Sequence, residues 1–255
     1  GNPSADLKLV GVTGTNGKTT SVHWLSSCLN RLGKKTGFIG TTGYGDGTNI
    51  NPTKNTTPDI LTIQKILRDF KEKNTSHIAM EVSSHAIDQG RIDNLKFDIK
   101  LLTNITRDHL DYHGNIENYI ECKSNFLLNS GSGECIVINN DDPVGHQIIE
   151  KINKKKNNLK VLSFGIKNAS YLMARNISVS NGRTIFNLDH NEERYKFDAP
   201  IFSRYNLYNI LGVIGCLLEL KINIKDIQSV ISRIEGVEGR AEVINLNSSN
   251  RPNIF

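Results

Sequence analysis

Short apolar runs alternate along this chain with longer stretches in which apolar residues return every three or four positions. The runs at 7–12, 36–39, 77–82, 97–103 and 135–138 predict strands. Over 18–32, Val22, Leu25, Cys28, Leu29 and Leu32 share one face at the helical period, and Gly33 ends the element. Pro58 and Asp59 open a second helix with Ile60, Ile63, Ile66, Leu67 and Phe70 as its apolar positions, and Asn115 caps a third over 115–128. Strands alternating with helices predict an α/β fold, a doubly wound and mostly parallel sheet flanked by helices. Residues 40–58, rich in Gly, Thr and Asn, read as one long loop of the kind that carries function. From about residue 161 the rhythm changes. The runs 176–179, 184–188 and 195–197 alternate and are broken by Asn-Gly and Asp-His-Asn turns, which predicts a small appended antiparallel sheet. Two helices follow, 206–220 with Leu207, Ile210, Leu211, Ile214 and Leu218 inward, and 224–234.

Composition narrows the class without changing this picture. With 255 residues, 37% hydrophobic and 22% charged, the chain holds one large α/β domain or two small ones. No stretch reaches the roughly 18 apolar residues that span a membrane, and the first residues carry no secretory signal pattern. Cys28, Cys122, Cys135 and Cys216 are scattered, with no CxxC pair, and read as reduced thiols of a cytoplasmic protein. The net charge of +5 owes much to Lys151, Lys154, Lys155, Lys156 and Lys160. Without interleaved aromatics or a recognition motif, this run reads as a solvated helix end and loop, and neither nucleic acid nor membrane is an expected partner.

The strongest chemical signal is Gly11-Val12-Thr13-Gly14-Thr15-Asn16-Gly17-Lys18-Thr19-Thr20, between the first strand and the first helix. A glycine-rich turn there leaves backbone N–H groups aimed at one point, where the helix also presents its positive end. Lys18 would reach the outer phosphates of a nucleotide and the Thr19 hydroxyl would hold magnesium. The spacing is a variant one, because the usual motif places a glycine where Val12 stands. Polar clusters follow three other strands: Glu81, Ser83, Ser84 and His85; Asn104, Thr106, Arg107, Asp108 and His109; Asn139, Asn140, Asp141 and Asp142. In an open α/β sheet these strand ends form the ligand edge. Glu81 ends a strand and His109 follows one, and from there both could approach a metal on Thr19, although for His109 taken alone a capping or hydrogen-bonding role before Leu110 is the favoured reading. Lys123 falls on the inward stripe of the 115–128 helix with Tyr119 and Phe126. A buried ammonium must snorkel to water, pair with Glu81 or Asp108, or lose its charge; a neutral amine can add carbon dioxide and become a carbamate.

Several motifs then converge on one family. Gly14 to Thr20, Asn55-Thr56-Thr57-Pro58, Glu81-Val82-Ser83-Ser84-His85, Gln89-Gly90-Arg91 and the run from Thr103 to Gly114 together resemble the Mur ligases of the MurE type, UDP-N-acetylmuramoyl-L-alanyl-D-glutamate amino-acid ligases. The resemblance runs from about Ala5 to Val243. It implies that Gly14, Thr15, Asn16, Gly17, Lys18, Thr19 and Thr20 bind ATP phosphates and that Thr19 and Glu81 hold a first magnesium. His109 and Lys123, the latter matching the family's carbamylated lysine, belong to a second magnesium site. By the same resemblance, Lys18, Lys123 and His109 would be the catalytic group. Asn55, Thr56, Thr57, Ser83, Gln89 and Arg91 match positions holding the UDP-muramoyl dipeptide. Asn206 and Asn209 match the adenosine side, and Arg240 lies at the hinge into a further domain.

The family's reaction implies ATP-dependent addition of an amino acid, diaminopimelate or lysine, to the dipeptide through an acyl phosphate. Residues 1–244 are expected to be the central ATP-binding domain and 245–255 a shortened linker; family members also carry an N-terminal UDP-binding and a C-terminal amino-acid-binding domain. The alternative expectation is a nucleotide- and substrate-binding module without ligase turnover, and a monomer is expected in either case. A kinase or GTPase with a related phosphate loop is a weaker reading, because no guanine-reading or lid motif accompanies it.

Overall fold

In a computed structural model of the chain, the described residues are 3–131, 133–154, 159–237 and 239. Their elements run β1 (Lys8–Thr13), α1 (Lys18–Arg31), β2 (Thr36–Gly40), β3 (Gly43–Gly45), β4 (Ile50–Asn51), α2 (Ile60–Glu72) and β5 (His77–Glu81). Then follow α3 (Ser84–Asp88), β6 (Ile99–Leu102), α4 (Leu110–His113), α5 (Ile116–Leu128), β7 (Cys135–Asn139) and α6 (Pro143–Lys154). The last are β8 (Lys160–Gly165), β9 (Leu172–Ser180), β10 (Arg183–His190), β11 (Glu193–Ala199), α7 (Arg204–Glu219) and α8 (Ile224–Ile231). All the strands belong to one sheet of eleven, ordered β11-β10-β9-β8-β7-β6-β1-β5-β2-β3-β4.

The middle of this sheet, β2, β5, β1, β6, β7 and β8, is parallel throughout. Both of its faces are covered, so its strands are apolar runs whose alternate residues enter different cores. In β1, Val10 and Val12 face one side with α1, α7 and α8, whereas Leu9 faces the other with α2 and α5. Cys135 and Val137 of β7 divide from Ile136 and Ile138 in the same way. Side-chain caps at Asp59, Asn115 and Ser203 start α2, α5 and α7, each accepting from an amide three residues on.

The edges depart from the expected pattern. The long loop expected over 40–58 contains β3 and β4, which extend the sheet antiparallel from β2. These two strands are short and built from Gly, Asn, Tyr and Ile, too brief to show a period. The antiparallel sheet expected near the other end is continuous with the main one, because β9 pairs in parallel with β8 at Phe164 and Leu172 before turning antiparallel to β10. β8 and α6 lay hidden in the lysine-rich stretch, where their buried residues (Leu162 and Phe164, Ile148 and Ile152) are spaced among charges. The expected 245–255 linker and Arg240 lie outside the described residues, as do Lys155 and Lys156. Lys160 is paired with Glu219. No helix among the described residues is long and apolar enough to cross a membrane.

Parallel strands end on the same edge, so the loops after β1, β5, β6 and β7 meet there. Leu101, fully buried at the centre of β6, is part of the platform under them. Leu101→Ala is expected to lower the unfolding free energy by about 2–5 kcal/mol, measured as a reduced urea midpoint with unchanged slope.

Candidate functional site: a phosphate loop between a buried carboxylate and a buried lysine

The loop after β1 takes its shape from close neighbours. Gly14 (φ 147°) would place a Cβ 2.0 Å from Thr103 Oγ1, and Gly17 (φ 86°) would place one 2.1 Å from Asn209 Oδ1. Any side chain at either position collides, and both backbones lie where L-residues are strained. The loop is then held from β6: the Asn16 amide donates to Asn104 Oδ1 at 3.0 Å, and Thr103 Oγ1 donates to the Asn16 carbonyl at 2.6 Å. Gly17 gives α1 no side-chain cap at its N-terminus. That is the condition for an anion site. Lys18 Nζ lies over the loop and donates to the carbonyls of Gly14 (2.9 Å) and Thr15 (2.8 Å).

On one side of the loop stands Glu81, at the end of β5 and 1% exposed. Its Oε2 accepts from Thr19 Oγ1 at 3.1 Å, and its Oε1 accepts from the Thr41 amide at 2.8 Å. Burial pushes its carboxyl above the ordinary range, opposed by the Thr41 amide and the Lys18 charge. Gly40 lacks a side chain for the same reason: a Cβ there would lie 2.2 Å from Glu81 Oε1. A hydroxyl and a carboxylate oxygen beside a phosphate loop suit magnesium, which takes hard oxygen ligands and fills the rest of its shell with water and phosphate. Among the described residues no group of three or more His, Cys, Asp or Glu forms a metal site by itself. The fit is therefore to an ion shared with a nucleotide.

On the other side stands Lys123, 1% exposed. Its Nζ donates to Thr13 Oγ1 (3.2 Å) and the Gly14 carbonyl (3.1 Å) and sits 5.0 Å from the Tyr119 ring centroid. Of the two buried lysines among the described residues, Lys100 is paired with Glu134 at 2.9 Å. Lys123 pairs with neither Glu81 nor Asp108. Desolvation, then the nearby Lys18 charge, lowers its pKa to about 7. The shift favours the neutral, nucleophilic amine over the ammonium. Tyr119, one turn earlier on α5 and fully buried, meets Thr15 Oγ1 at 3.0 Å. His109 is not brought to Thr19. Its half-exposed ring lies 5.0 Å from His85 and 6.3 Å from Tyr119, on a left-handed residue (φ 51°) that starts α4 without a side-chain cap.

Two further subsites flank the loop. A cleft of about 540 Å³ lies beside Gly17, with Asn209, Tyr205, Tyr208 and Asp141 in its wall. Asn209 is buried and touches Asn206, its Nδ2 donating to Asn206 Oδ1 at 3.4 Å. Tyr208 donates to Asp141 at 2.9 Å, while Tyr205 is 81% exposed at the rim. These tyrosines escaped sequence reasoning, although both stand in the Tyr-Asn-Leu-Tyr-Asn motif that supplied the asparagines. Toward β5, Thr56 meets Thr41 at 3.1 Å. Thr57 is fully buried, with its hydroxyl donating to the Glu81 carbonyl and accepting from the Ser83 amide. Ser83 caps α3, and Arg91 donates to the Thr57 carbonyl at 2.9 Å and to Gln89 Oε1. Four of the six expected substrate residues thus form one network. Asn55 stands outside it, its carbonyl accepting from Thr53.

A family model described as the Mur ligase middle domain matches residues 12–217. The chain belongs to this family. Among similar curated proteins, the UDP-N-acetylmuramoyl-L-alanyl-D-glutamate--2,6-diaminopimelate ligase of Halalkalibacterium halodurans is 35% identical over 247 residues, covering 96% of this chain and 50% of the relative. The protein of that name from Xylella fastidiosa is 36% identical over 240 residues, covering 94% and 48%. The chain spans about half the length of the curated relatives it matches. A solved structure of a ligase of the same name superposes with a TM-score of 0.84 at 27% identity, over 94% of this chain and 49% of that one. The fold is also that of MurF from Acinetobacter baumannii, at a TM-score of 0.75 and 20% identity.

Two outcomes follow for this Mur ligase domain. Gly17→Ala should abolish nucleotide binding in calorimetric titration, because the new Cβ strikes Asn209 where the loop must turn. Lys123 lowers stability most when it is charged. Its folded value of about 7 lies below the ordinary 10.5, so the unfolded chain binds more protons between these values and stability rises with pH across that window. Chemical denaturation of wild type and Lys123→Met at pH 7, 8.5 and 10 should show the stability gap narrowing as pH rises.

Proposed function

We propose that this chain is the central ATP-binding domain of a MurE-type ligase of peptidoglycan precursor synthesis. The protein that carries it adds the third amino acid to UDP-N-acetylmuramoyl-L-alanyl-D-glutamate. Diaminopimelate, the amino acid in the relatives' names, is the first candidate, and lysine is the second. The observation that carries the reading is the Thr19–Glu81 oxygen pair, 3.1 Å apart beside the uncapped first turn of α1. It supplies the two protein oxygens that a magnesium–nucleotide complex needs at a phosphate loop.

In this reading Gly14 to Thr20 hold the ATP phosphates. Asn206 and Asn209 flank the adenosine, joined by Tyr205 and Tyr208 in the wall of the same cleft. Arg240 serves the hinge. Asn55, Thr56, Thr57, Ser83, Gln89 and Arg91 hold the muramoyl dipeptide. Thr19 and Glu81 would hold one magnesium, and His109 with a carbamate of Lys123 would hold a second. Lys123 reaches that form when its neutral amine adds carbon dioxide, forming the N–C bond and releasing a proton. Magnesium, when bound, offsets charge on the phosphoryl group in transfer.

The substrate carboxylate, steadied by Arg91, attacks the γ-phosphorus of ATP, giving an acyl phosphate and ADP. The incoming amine attacks the acyl carbon, inorganic phosphate leaves, and the amine proton is lost as the amide forms. Lys18 offsets the charge carried by the phosphate oxygens, and the closely packed loop keeps them fixed while that charge moves.

Lys123→Ala in the full-length protein should lose most ADP release, and added bicarbonate should not restore it; near-normal turnover would end the metal-ligand role. ADP release that requires the added amino acid separates a ligase from a module that only binds its substrates.

A further inference from the structure

Beside the phosphate loop, five side chains form a relay. Tyr112, on α4, donates its hydroxyl proton to Asp88 Oδ2 at 2.7 Å. The same hydroxyl accepts from Gln89 Nε2 at 3.1 Å. The other end of the Gln89 amide, Oε1, accepts from Arg91 Nε at 2.9 Å and from Arg91 Nη2. Arg91 Nη1 donates in turn to the Thr57 carbonyl at 2.9 Å, and the Thr57 hydroxyl reaches the Glu81 backbone at 2.8 Å. The Tyr112 ring leans on His85, 4.1 Å between centroids.

Hydrogen-bond chemistry allows this relay to run in one sense. An ionised carboxylate only accepts, so Asp88 takes the single Tyr112 proton and leaves the phenol oxygen as an acceptor toward Gln89. The bond to Asp88 holds the Tyr112 hydroxyl above its usual range, as expected of a proton in use. Arginine only donates, so the Gln89 oxygen must face it. Both ends of one amide are therefore determined. Gln89 stands at the C-terminus of α3, a helix of five residues, where the backbone alone holds a side chain loosely. With the amide nitrogen anchored on Tyr112, its oxygen becomes a fixed seat for the guanidinium. Three of the five N–H donors of Arg91 are then committed within the protein, and two remain for a ligand. Donors on a group of fixed positive charge suit a carboxylate.

We infer that Tyr112 and Asp88 are positioning residues for the anionic substrate: they hold Gln89, and through it Arg91, in the orientation that receives a carboxylate. The inference rests on the ligase reading for the identity of that carboxylate, but the relay can be tested without turnover. Its effect is on binding, because an ordered Arg91 spares the complex the entropy of ordering it.

Two measurements test it. In the chain free of ligand, the Arg91 Nε–H should exchange slowly with water by NMR. It should exchange fast in Tyr112→Phe and slowly again in the double variant Tyr112→Phe/Gln89→Glu, because a carboxylate can hold Arg91 without the phenol. Slow exchange persisting in Tyr112→Phe alone would overturn the inference. In the full-length protein, Tyr112→Phe should raise KM for UDP-N-acetylmuramoyl-L-alanyl-D-glutamate about fivefold to tenfold, the loss of one hydrogen bond, with kcat within about twofold. In the Gln89→Glu background the same substitution should leave KM unchanged. An equal rise in both backgrounds would make Tyr112 merely structural and overturn the inference. A wild-type protein that does not turn over this dipeptide would refute the ligase reading, while the exchange experiment still decides the relay.

Discussion

A carboxylate and an amine lie buried on either side of one phosphate loop, and neither neutralises the other. Glu81 is held by hydroxyl and amide donors, Lys123 by a hydroxyl and a carbonyl, and both are shifted toward their uncharged forms. Burying unpaired ionisable groups costs several kcal/mol unless hydrogen bonds or neutralisation offset it. The chain can bury such groups with a counter-charge, as Lys100 and Glu134 demonstrate on the same sheet. At the loop it does not do so: Glu81 is met by Thr19 and Thr41, and Lys123 by Thr13 and the Gly14 carbonyl.

The rest of the architecture keeps those two groups apart and dry. Parallel strands bring β1, β5 and β6 to one edge, so that Glu81 and the loop stand on adjacent strands. Helix α5 lies on the face opposite α1 and α7 and directs Lys123 and Tyr119 at consecutive loop residues, Gly14 and Thr15. Helix α7 closes the loop from its own side through Asn209, packed on the bare Cα of Gly17. The phosphate loop is therefore held by three elements distant in sequence, and its variant glycine spacing follows from those contacts. Gly11 gives way to Phe97 and Phe126, Gly14 to Thr103, and Gly17 to Asn209.

Much of this was legible in the residues. The parallel core follows from apolar runs between helical stretches, and the loop follows from glycines ahead of Lys18-Thr19. Lys123 on an inward stripe already announced a buried amine. The two- and three-residue strands β3 and β4 were not legible, because pairing to β2 decides them and they show no period of their own. Nor was the anchoring of Gln89 by Tyr112, which are 23 positions apart.

The sequence by itself determined which residues could carry chemistry: a loop bare enough to wrap phosphate, a carboxylate at a strand end, and a lysine on the wrong face of a helix. These are local properties, set by residue type and by periods of two and 3.6. Only the tertiary structure decided what meets what. It joined Glu81 to Thr19, left His109 beside His85 instead, withheld a counter-ion from Lys123, and gave Arg91 its seat on Gln89. Glu81 and Thr19 stand 62 positions apart, Lys123 and Thr13 stand 110 apart, and the Gln89 seat is itself fixed by Tyr112 from 23 positions away; only packing the two cores against one sheet brings such partners within a hydrogen bond.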